Sequence, residues 1–139
     1  MKLSALMIVN AIVAAVFGLG FIFAPGQVAA FYNPEVGSPE VGAVLKIVAQ
    51  LFGAALLAFA VLTWVARNAP DSEARRAILL ALFVGESVGF VIALIGQLGG
   101  EVNALGWSTV AIYLLLAVGF GYFRFVAKHE LPQTHGPAM

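Results

Sequence analysis

Four long apolar stretches dominate the pattern of hydrophobic and polar positions along the chain. Each of them is close to the roughly 20 residues that a helix needs to cross a bilayer, and none shows the alternation of a membrane β-strand. The stretches are Ala5–Ala24, Val41–Ala66, Ala77–Leu98 and Ala104–Phe123. With their flanking turns they predict an all-α integral membrane protein, an up-down bundle of four transmembrane helices over residues 5–24, 39–66, 72–98 and 104–126.

Helix-capping residues set the boundaries of these predicted helices. Ser38-Pro39-Glu40 has the order of an N-cap, a proline at the first helical position and an acid in the first turn, so the second helix should begin at Pro39. Asp71 or Ser72 should cap the third helix. Pro25-Gly26 should end the first helix. Between it and the second helix we expect an ordered loop over 27–37, with a short interfacial turn as the alternative.

The overall composition agrees with a membrane location. Of the 139 residues, 62% are hydrophobic and 10% are charged, whereas soluble domains have about 25% charged residues. The chain contains no cysteine, which excludes disulfides, thiolate catalysis and iron–sulfur clusters. Its formal net charge is zero, so no electrostatic argument favours a nucleic acid as partner.

The charged residues between the helices predict the orientation. Basic side chains occur before the first helix, between the second and third, and after the fourth: Lys2, Arg67, Arg75, Arg76, Arg124 and Lys128. In the other two connections every charged side chain is acidic, namely Glu35, Glu40 and Glu101. The positive-inside rule therefore predicts that both termini lie in the cytoplasm. We expect a multi-pass protein of the inner membrane.

Two further predictions concern the ends of the chain. Lys2 and the apolar stretch after it resemble the start of a signal peptide, but the stretch is long and ends in Pro25 without a small-residue cleavage site, which favours a retained helix. Residues 128–139 have little apolar content and predict a disordered cytoplasmic tail. His129 and His135 lie there without a third ligand nearby, so we expect no metal site.

Glu86 is the most informative residue of the sequence. It lies near the middle of the third predicted helix, where an ionised carboxylate costs about 3 kcal/mol on insertion scales. It must therefore be protonated, paired or in contact with water. Helical spacing places Gln97 on the same face as Glu86. Lys46, Gln50 and Gly53 share a face of the second helix.

A short connection predicts that the second and third helices pack side by side. We therefore expect a Lys46–Glu86 contact, direct or through Gln50, and close packing at Gly85 and Gly89, which flank Glu86 with the spacing of a small-residue motif. The alternatives are that Lys46 extends to the membrane surface or that Glu86 is a neutral acid bound to a carbonyl. Lys46, Gln50, Glu86 and Gln97 are the candidates for ligand or proton handling. Asn10 is expected to form an interhelical hydrogen bond.

No enzyme motif is present in the sequence. There is no G-x-S-x-G, no intramembrane histidine and no glycine-rich phosphate loop. We therefore expect neither an enzyme nor a bound cofactor.

One segment carries a resemblance to a known family. Leu51-Phe52-Gly53-Ala54-Ala55-Leu56-Leu57, followed by Trp64, Arg67 and Arg75-Arg76, resembles the DoxX-like group of small bacterial four-helix membrane proteins. The resemblance implies a four-helix bundle, in a group sometimes associated with redox or quinone-linked membrane complexes. It carries over no catalytic residue. The small multidrug exporters have a similar size, but their essential acid lies in the first helix, which has no acid here.

Two functions remain after these exclusions. The first, which the sequence favours, is a structural, binding or accessory module that self-associates or joins a larger membrane complex. Its partner surfaces would be glycine-rich, with Gly18 and Gly20 on the first helix and Gly119 and Gly121 on the fourth, and an apolar groove would hold a lipid or a quinone. The second is a proton- or ion-coupled carrier in which Glu86 exchanges a proton and Lys46 is its alternating partner.

Overall fold

The fold is entirely helical in the part of the chain that the structure describes. The computed structural model describes residues 1–35 and 39–127, with the backbone only at residues 39–41. The elements are α1 Leu3–Phe23, α2 Pro25–Tyr32, α3 Pro39–Ala66, α4 Glu73–Leu98 and α5 Gly106–Gly121, and α5 continues into a π-helical turn, Tyr122–Val126. Four helices, α1, α3, α4 and α5 with its π turn, are long and apolar enough to cross a membrane. The predicted four-helix membrane fold is thus confirmed.

The short helix α2 is the main departure from the predicted elements. The expected loop over 27–37 was wrong where α2 occupies it, because Pro25 starts a new helix whose residues favour helical conformation. The backbone of Ala24, with φ −137°, separates α2 from α1. The predicted cap Ser38 and the predicted tail with His129 and His135 lie outside the described residues.

The start of α4 agrees with its capping sequence. The Ser72 hydroxyl accepts a hydrogen bond from the Arg75 backbone N–H at 3.2 Å. Asp71, the other predicted cap, instead pairs with the guanidinium groups of Arg75 and Arg76, at 3.2 Å each. Ser72 is therefore the N-cap, and Asp71 links two basic side chains of the first turn.

The helices pack as two pairs, α1 with α3 and α4 with α5. The expected side-by-side packing of the second and third membrane helices, α3 and α4, was wrong. The reason is that glycine contacts select other neighbours: the Tyr113 ring of α5 lies against Gly89 of α4, and Gly18 of α1 meets Gly53 of α3. A short connection limits how far apart two helices can lie, but it does not make their side chains complementary.

The contact between α1 and α3 depends on two glycines. A Cβ atom added to Gly53 would lie 2.7 Å from the Gly18 carbonyl oxygen, and one added to Gly18 would lie 2.9 Å from the Gly53 carbonyl oxygen. The two backbones therefore approach more closely than any side chain would allow, as in small-residue contacts of membrane helices. On α5, Gly119 lies against Leu6 and Gly121 against Phe83, so these glycines contact their own chain, not the partner surface expected of them.

One end of the bundle, which we call the base, holds the main apolar core. The base contains the start of α1, the α3–α4 connection and the end of α5. Its buried side chains come from all four long helices: Leu6, Met7, Ala66, Leu79, Leu82, Leu116 and Phe120. The opposite end, with α2 and the α4–α5 connection, is called the cap end. The two helix pairs are thus joined mainly at the base.

A buried hydrogen bond links α1 to α3 between the base and the glycine contact. Asn10 Nδ2 donates to Thr63 Oγ1 at 3.4 Å, and both residues are buried. The Thr63 hydroxyl itself donates to the Phe59 carbonyl at 2.8 Å. The interhelical hydrogen bond expected of Asn10 is therefore present.

Replacing Thr63 by valine should weaken this contact without changing the local shape. Because Thr63→Val leaves the Asn10 amide without its partner, we expect a loss of about 1 kcal/mol in the free energy of unfolding. The measurement is reversible unfolding of the purified protein in mixed micelles. The double variant Asn10→Leu/Thr63→Val should recover part of the loss, and equal stability of the single variant and the parent would contradict the role of this bond.

Candidate functional site: an apolar cleft with two unpaired polar groups

Toward the cap end, the two helix pairs enclose a cleft of about 370 Å³. Side chains from all five helices contribute to its lining. Most of this lining is apolar and aromatic, with Phe17 and Phe21 from α1, Phe52 and Leu56 from α3 and Ile112 from α5. Its volume lies in the range of small-molecule sites, roughly 300–1,000 Å³. The cleft is therefore large enough for a ligand and offers it mainly hydrocarbon contacts.

Glu86 reaches this cleft from α4 and has no protein partner there. Its half-buried carboxylate forms no hydrogen bond or ion pair with any residue in 1–35 or 39–127. Tyr113 of α5 lines the same cleft. Its hydroxyl also lacks a hydrogen-bond partner within the described ranges. Asn10, Tyr32 and Thr109 also line the cleft but form side-chain hydrogen bonds, and Glu101 lines it as an exposed acid. Glu86 and Tyr113 are thus partly buried polar groups of the cleft without a protein partner among the described residues.

Local packing fixes the position of the Tyr113 ring. Gly89 lies about one helical turn beyond Glu86, and the ring edge of Tyr113 occupies the space that a side chain at Gly89 would fill. Gly85, on the other side of Glu86, has no atom of another described residue within 4 Å of where a Cβ would be. The close packing expected at Gly85 was therefore wrong, and Gly89 accommodates an aromatic ring of α5.

Lys46 does not make the contact with Glu86 that the sequence predicted. Its side chain is exposed on α3 and lines a second groove between α2 and α3. Neither Lys46 nor Glu86 takes part in an ion pair within the described residues. The expected Lys46–Glu86 contact was wrong because α3 and α4 do not pack against each other along the membrane, so the two polar faces never meet.

Gln50 and Gln97 bind backbone atoms and do not line the cleft. Gln50 Nε2 donates to the Ile22 carbonyl at 3.0 Å, which ties α3 to the end of α1. Gln97 Nε2 donates to the Asn103 carbonyl at 3.3 Å. Both amides thus stabilise the positions of neighbouring segments, and Gln50 does not mediate a contact of Glu86.

The cap end is closed by α2, which hydrogen-bonds to the α4–α5 connection and to α5. Asn103 Nδ2 donates to the Phe31 carbonyl at 2.6 Å, and the Asn103 backbone N–H donates to the Tyr32 carbonyl at 2.9 Å. The hydroxyls of Tyr32 and Thr109 are 2.9 Å apart and share a hydrogen bond. Asn33 Nδ2 donates to the Glu101 carbonyl at 3.1 Å. These contacts place α2 over the outer end of the cleft.

Truncating Asn103 should loosen this closure. The change Asn103→Ala removes the side-chain hydrogen bond to Phe31 and a second one, in which Asn103 Oδ1 accepts from the Leu105 N–H at 2.9 Å. We expect amide hydrogen exchange in Pro25–Tyr32 to become several-fold faster, because local opening of α2 becomes less costly. Mass spectrometry of α2 peptides measures it. The matched variant Asn68→Ala, in the exposed α3–α4 connection, should leave that exchange unchanged.

Sequence reasoning missed the polar residues contributed by α5 and α2. Tyr113, Thr109 and Tyr32 all line the cleft, but on their own helices they are isolated hydroxyls in apolar surroundings. The only available signal was that Tyr113 is a large polar side chain near the middle of the fourth apolar stretch, whereas Tyr122 lies at its end. Its relation to Glu86 depends on the pairing of α4 with α5.

Comparisons with known proteins add no relative to this description. The chain matches no protein-family model, no curated protein and no solved structure. Within the described residues, no group of three or more His, Cys, Asp or Glu side chains is arranged to hold a metal ion. The candidate site is therefore defined by its own geometry: an apolar cleft that contains a carboxyl group and a phenol without protein partners.

Proposed function

We propose that this protein is a binding or accessory module of a membrane, which holds an amphipathic ligand in the cleft between its two helix pairs. The ligand would have an apolar body, as a lipid or a quinone has, and a polar end that hydrogen-bonds to Glu86 and Tyr113. The observation that supports this proposal best is that Glu86 and Tyr113, two partly buried groups of a mainly apolar cleft, have no protein partner within the described residues.

The cost of leaving polar groups unpaired supports a ligand of this kind. A buried polar group without a hydrogen bond costs roughly 1–3 kcal/mol, and more when it is charged. An apolar ligand without a polar end would exclude water from Glu86 and Tyr113 and so impose that cost. A ligand whose polar end carries a hydroxyl or carbonyl oxygen satisfies the phenol or the protonated acid, while its apolar part contacts Phe17, Phe52 and Leu56.

The proposal is tested by filling the cleft. Ala93 of α4 lines it, whereas Ala81 of the same helix is exposed on the outer surface. Native mass spectrometry of protein released from its membrane should show a bound small molecule in the parent chain. The adduct should be lost in Ala93→Phe and kept in Ala81→Phe, because only the first substitution occupies cleft volume. Equal adducts in both variants, or none in the parent chain, would remove this function.

The proposed location is the inner membrane, with the base and both termini in the cytoplasm. Most basic residues of the described ranges lie at the base, namely Lys2, Arg67, Arg75, Arg76 and Arg124, together with the acids Asp71 and Glu73, whereas the exposed acids Glu35 and Glu101 lie at the cap end without a described basic residue except Lys46. The Arg67 guanidinium also lies over the Trp64 ring, 4.2 Å from its centroid, as expected of residues at a membrane surface. Reporter fusions in the α3–α4 connection should therefore report the cytoplasm.

Self-association or membership of a larger membrane complex is part of the same proposal. Many large apolar side chains on the outer faces of the helices are exposed, including Val16, Leu51 and Leu115, and lipid or a partner helix would cover them. A relation to the DoxX-like group is part of this proposal, and its support is the segment from Leu51 to Leu57 with Trp64 and Arg67.

A proton-coupled carrier is the second candidate function. Its support is the position of Glu86, a titratable group within the cleft. The position of Lys46 removes the alternating partner expected for it, so proton exchange would involve Glu86 alone. In liposomes, Glu86→Gln should abolish pH-gradient-driven uptake if the protein is a carrier, and absence of such uptake in the parent chain would exclude this candidate.

A further inference from the structure

We propose that a second site, in the groove between α2 and α3, binds the headgroup of an anionic membrane lipid through Lys46. This site is separate from the cleft and does not depend on the identity of the cleft ligand. The groove has a volume of about 580 Å³ and is lined by the end of α1, by α2 and by the first half of α3.

Lys46 is the charged side chain among the described residues that line this groove. It lies seven residues after Pro39, the first residue of α3, which corresponds to about 10 Å along the helix. A lysine at that depth is costly unless its ammonium group reaches the headgroup region or a counter-ion. Glu35 and Glu101 are the exposed acids described at this end, and Lys46 forms an ion pair with neither of them.

The walls of the groove match a lipid in both parts. Gln27 of α2 lies on the same groove as Lys46 and offers a second hydrogen-bonding group. On the base side of them, Val48, Phe52 and Phe21 provide the apolar contacts that an acyl chain needs. An ammonium group beside an apolar groove complements both the charge of an anionic headgroup and the hydrocarbon of its acyl chain. A free anion would use the ammonium group and leave the apolar walls uncovered.

The two sites share a wall. Phe21 and Phe52 line both the groove and the cleft, and their rings are in edge contact with centroids 5.4 Å apart. The acyl chain of the bound lipid would therefore pack on one side of this pair while the cleft ligand packs on the other. The rings of Phe21 and Phe52 would therefore separate the lipid in the groove from the ligand in the cleft.

The experiment compares lipid binding by the full chain and three variants in nanodiscs of phosphatidylcholine with added phosphatidylglycerol. Native mass spectrometry measures the phosphatidylglycerol retained per chain. Lys46→Gln should weaken the tightest bound phosphatidylglycerol about fivefold, the effect of one basic residue at a membrane surface. Lys46→Arg should retain it. Lys2→Gln, which removes one positive charge at the base, should also leave this molecule bound.

The proposal would be overturned if Lys46→Gln retained as much phosphatidylglycerol as the parent chain, or if Lys2→Gln lost as much of it as Lys46→Gln. It would also be overturned if inorganic phosphate reduced the reactivity of Lys46 toward an amine-labelling reagent in nanodiscs of phosphatidylcholine alone, because a free anion would then be enough to occupy the site. Because Lys46 is exposed and unpaired within the described residues, Lys46→Gln should fold normally, and a thermal melt checks this.

Discussion

Replacing Gly53 by leucine should be the most destabilising single substitution considered for this protein. The new side chain would begin 2.7 Å from the Gly18 carbonyl oxygen and 2.9 Å from the Phe21 Cβ. Because the first of these atoms is backbone, the helices α1 and α3 would have to separate. We expect a loss of about 3 kcal/mol in the free energy of unfolding, the upper end for overpacked sites. Unfolding in mixed micelles measures it.

The chain offers a matched control for this substitution. Gly85 lies in the middle of α4, and a Cβ placed there would meet no atom within 4 Å. Gly85→Leu should therefore be neutral or slightly stabilising, because leucine favours a helix by up to about 1 kcal/mol relative to glycine. If Gly85→Leu were as harmful as Gly53→Leu, then α4 and not α1 would provide the close helix contact, and the described pairing would be wrong.

Replacing Glu86 by leucine should have the largest effect on ligand binding. Glu86→Leu removes the carboxyl group but keeps an apolar side chain of similar size, so the polar end of the ligand loses its partner. We expect at least tenfold weaker retention of the bound small molecule, since a hydrogen bond to a charged or buried group contributes about 1.5–3 kcal/mol. Glu86→Gln, which still hydrogen-bonds, should retain more. Quantitative mass spectrometry of the extracted ligand measures all three proteins.

The same substitution should not destabilise the protein when no ligand is bound. Glu86 has no ion-pair partner within the described residues, so Glu86→Leu strands no opposite charge. Lys46→Met should likewise leave stability unchanged. A buried Lys46–Glu86 pair would give the opposite result, a loss of about 3–5 kcal/mol on removing either side chain. Thermal melts of Glu86→Leu and Lys46→Met therefore distinguish the two arrangements directly.

The elements of this fold were predictable because hydrophobicity alone defines them. Pro39–Ala66 begins and ends at the predicted residues, and Glu73–Leu98 differs by one residue at its start. Continuous apolar length and capping residues are local properties of the sequence. Helix α2 was missed because eight residues are too few for a clear periodic signal, and its position depends on contacts with Asn103 from a distant part of the chain.

Of the residues in the candidate site, only Glu86 could be predicted from the sequence. Glu86 could be singled out because a carboxylate at mid-membrane is costly wherever its neighbours are. Its neighbours could not be predicted, since every helix in a membrane protein is apolar on several faces and many pairings satisfy the sequence equally well. The pairing depends on the fit of Gly18 with Gly53 and of Gly89 with Tyr113. Such contacts depend on distances of a few tenths of an ångström, and sequence spacing does not contain them.

The cleft is proposed to hold an amphipathic ligand whose polar end contacts Glu86 and Tyr113. The most direct measurement is an experimental structure of the full chain kept in the lipids of its own membrane. We expect continuous ligand density between α1–α3 and α4–α5, with a polar atom within hydrogen-bond distance of the Glu86 carboxylate. A cleft closed by side chains, or filled only by ordered water around Glu86, would contradict the account.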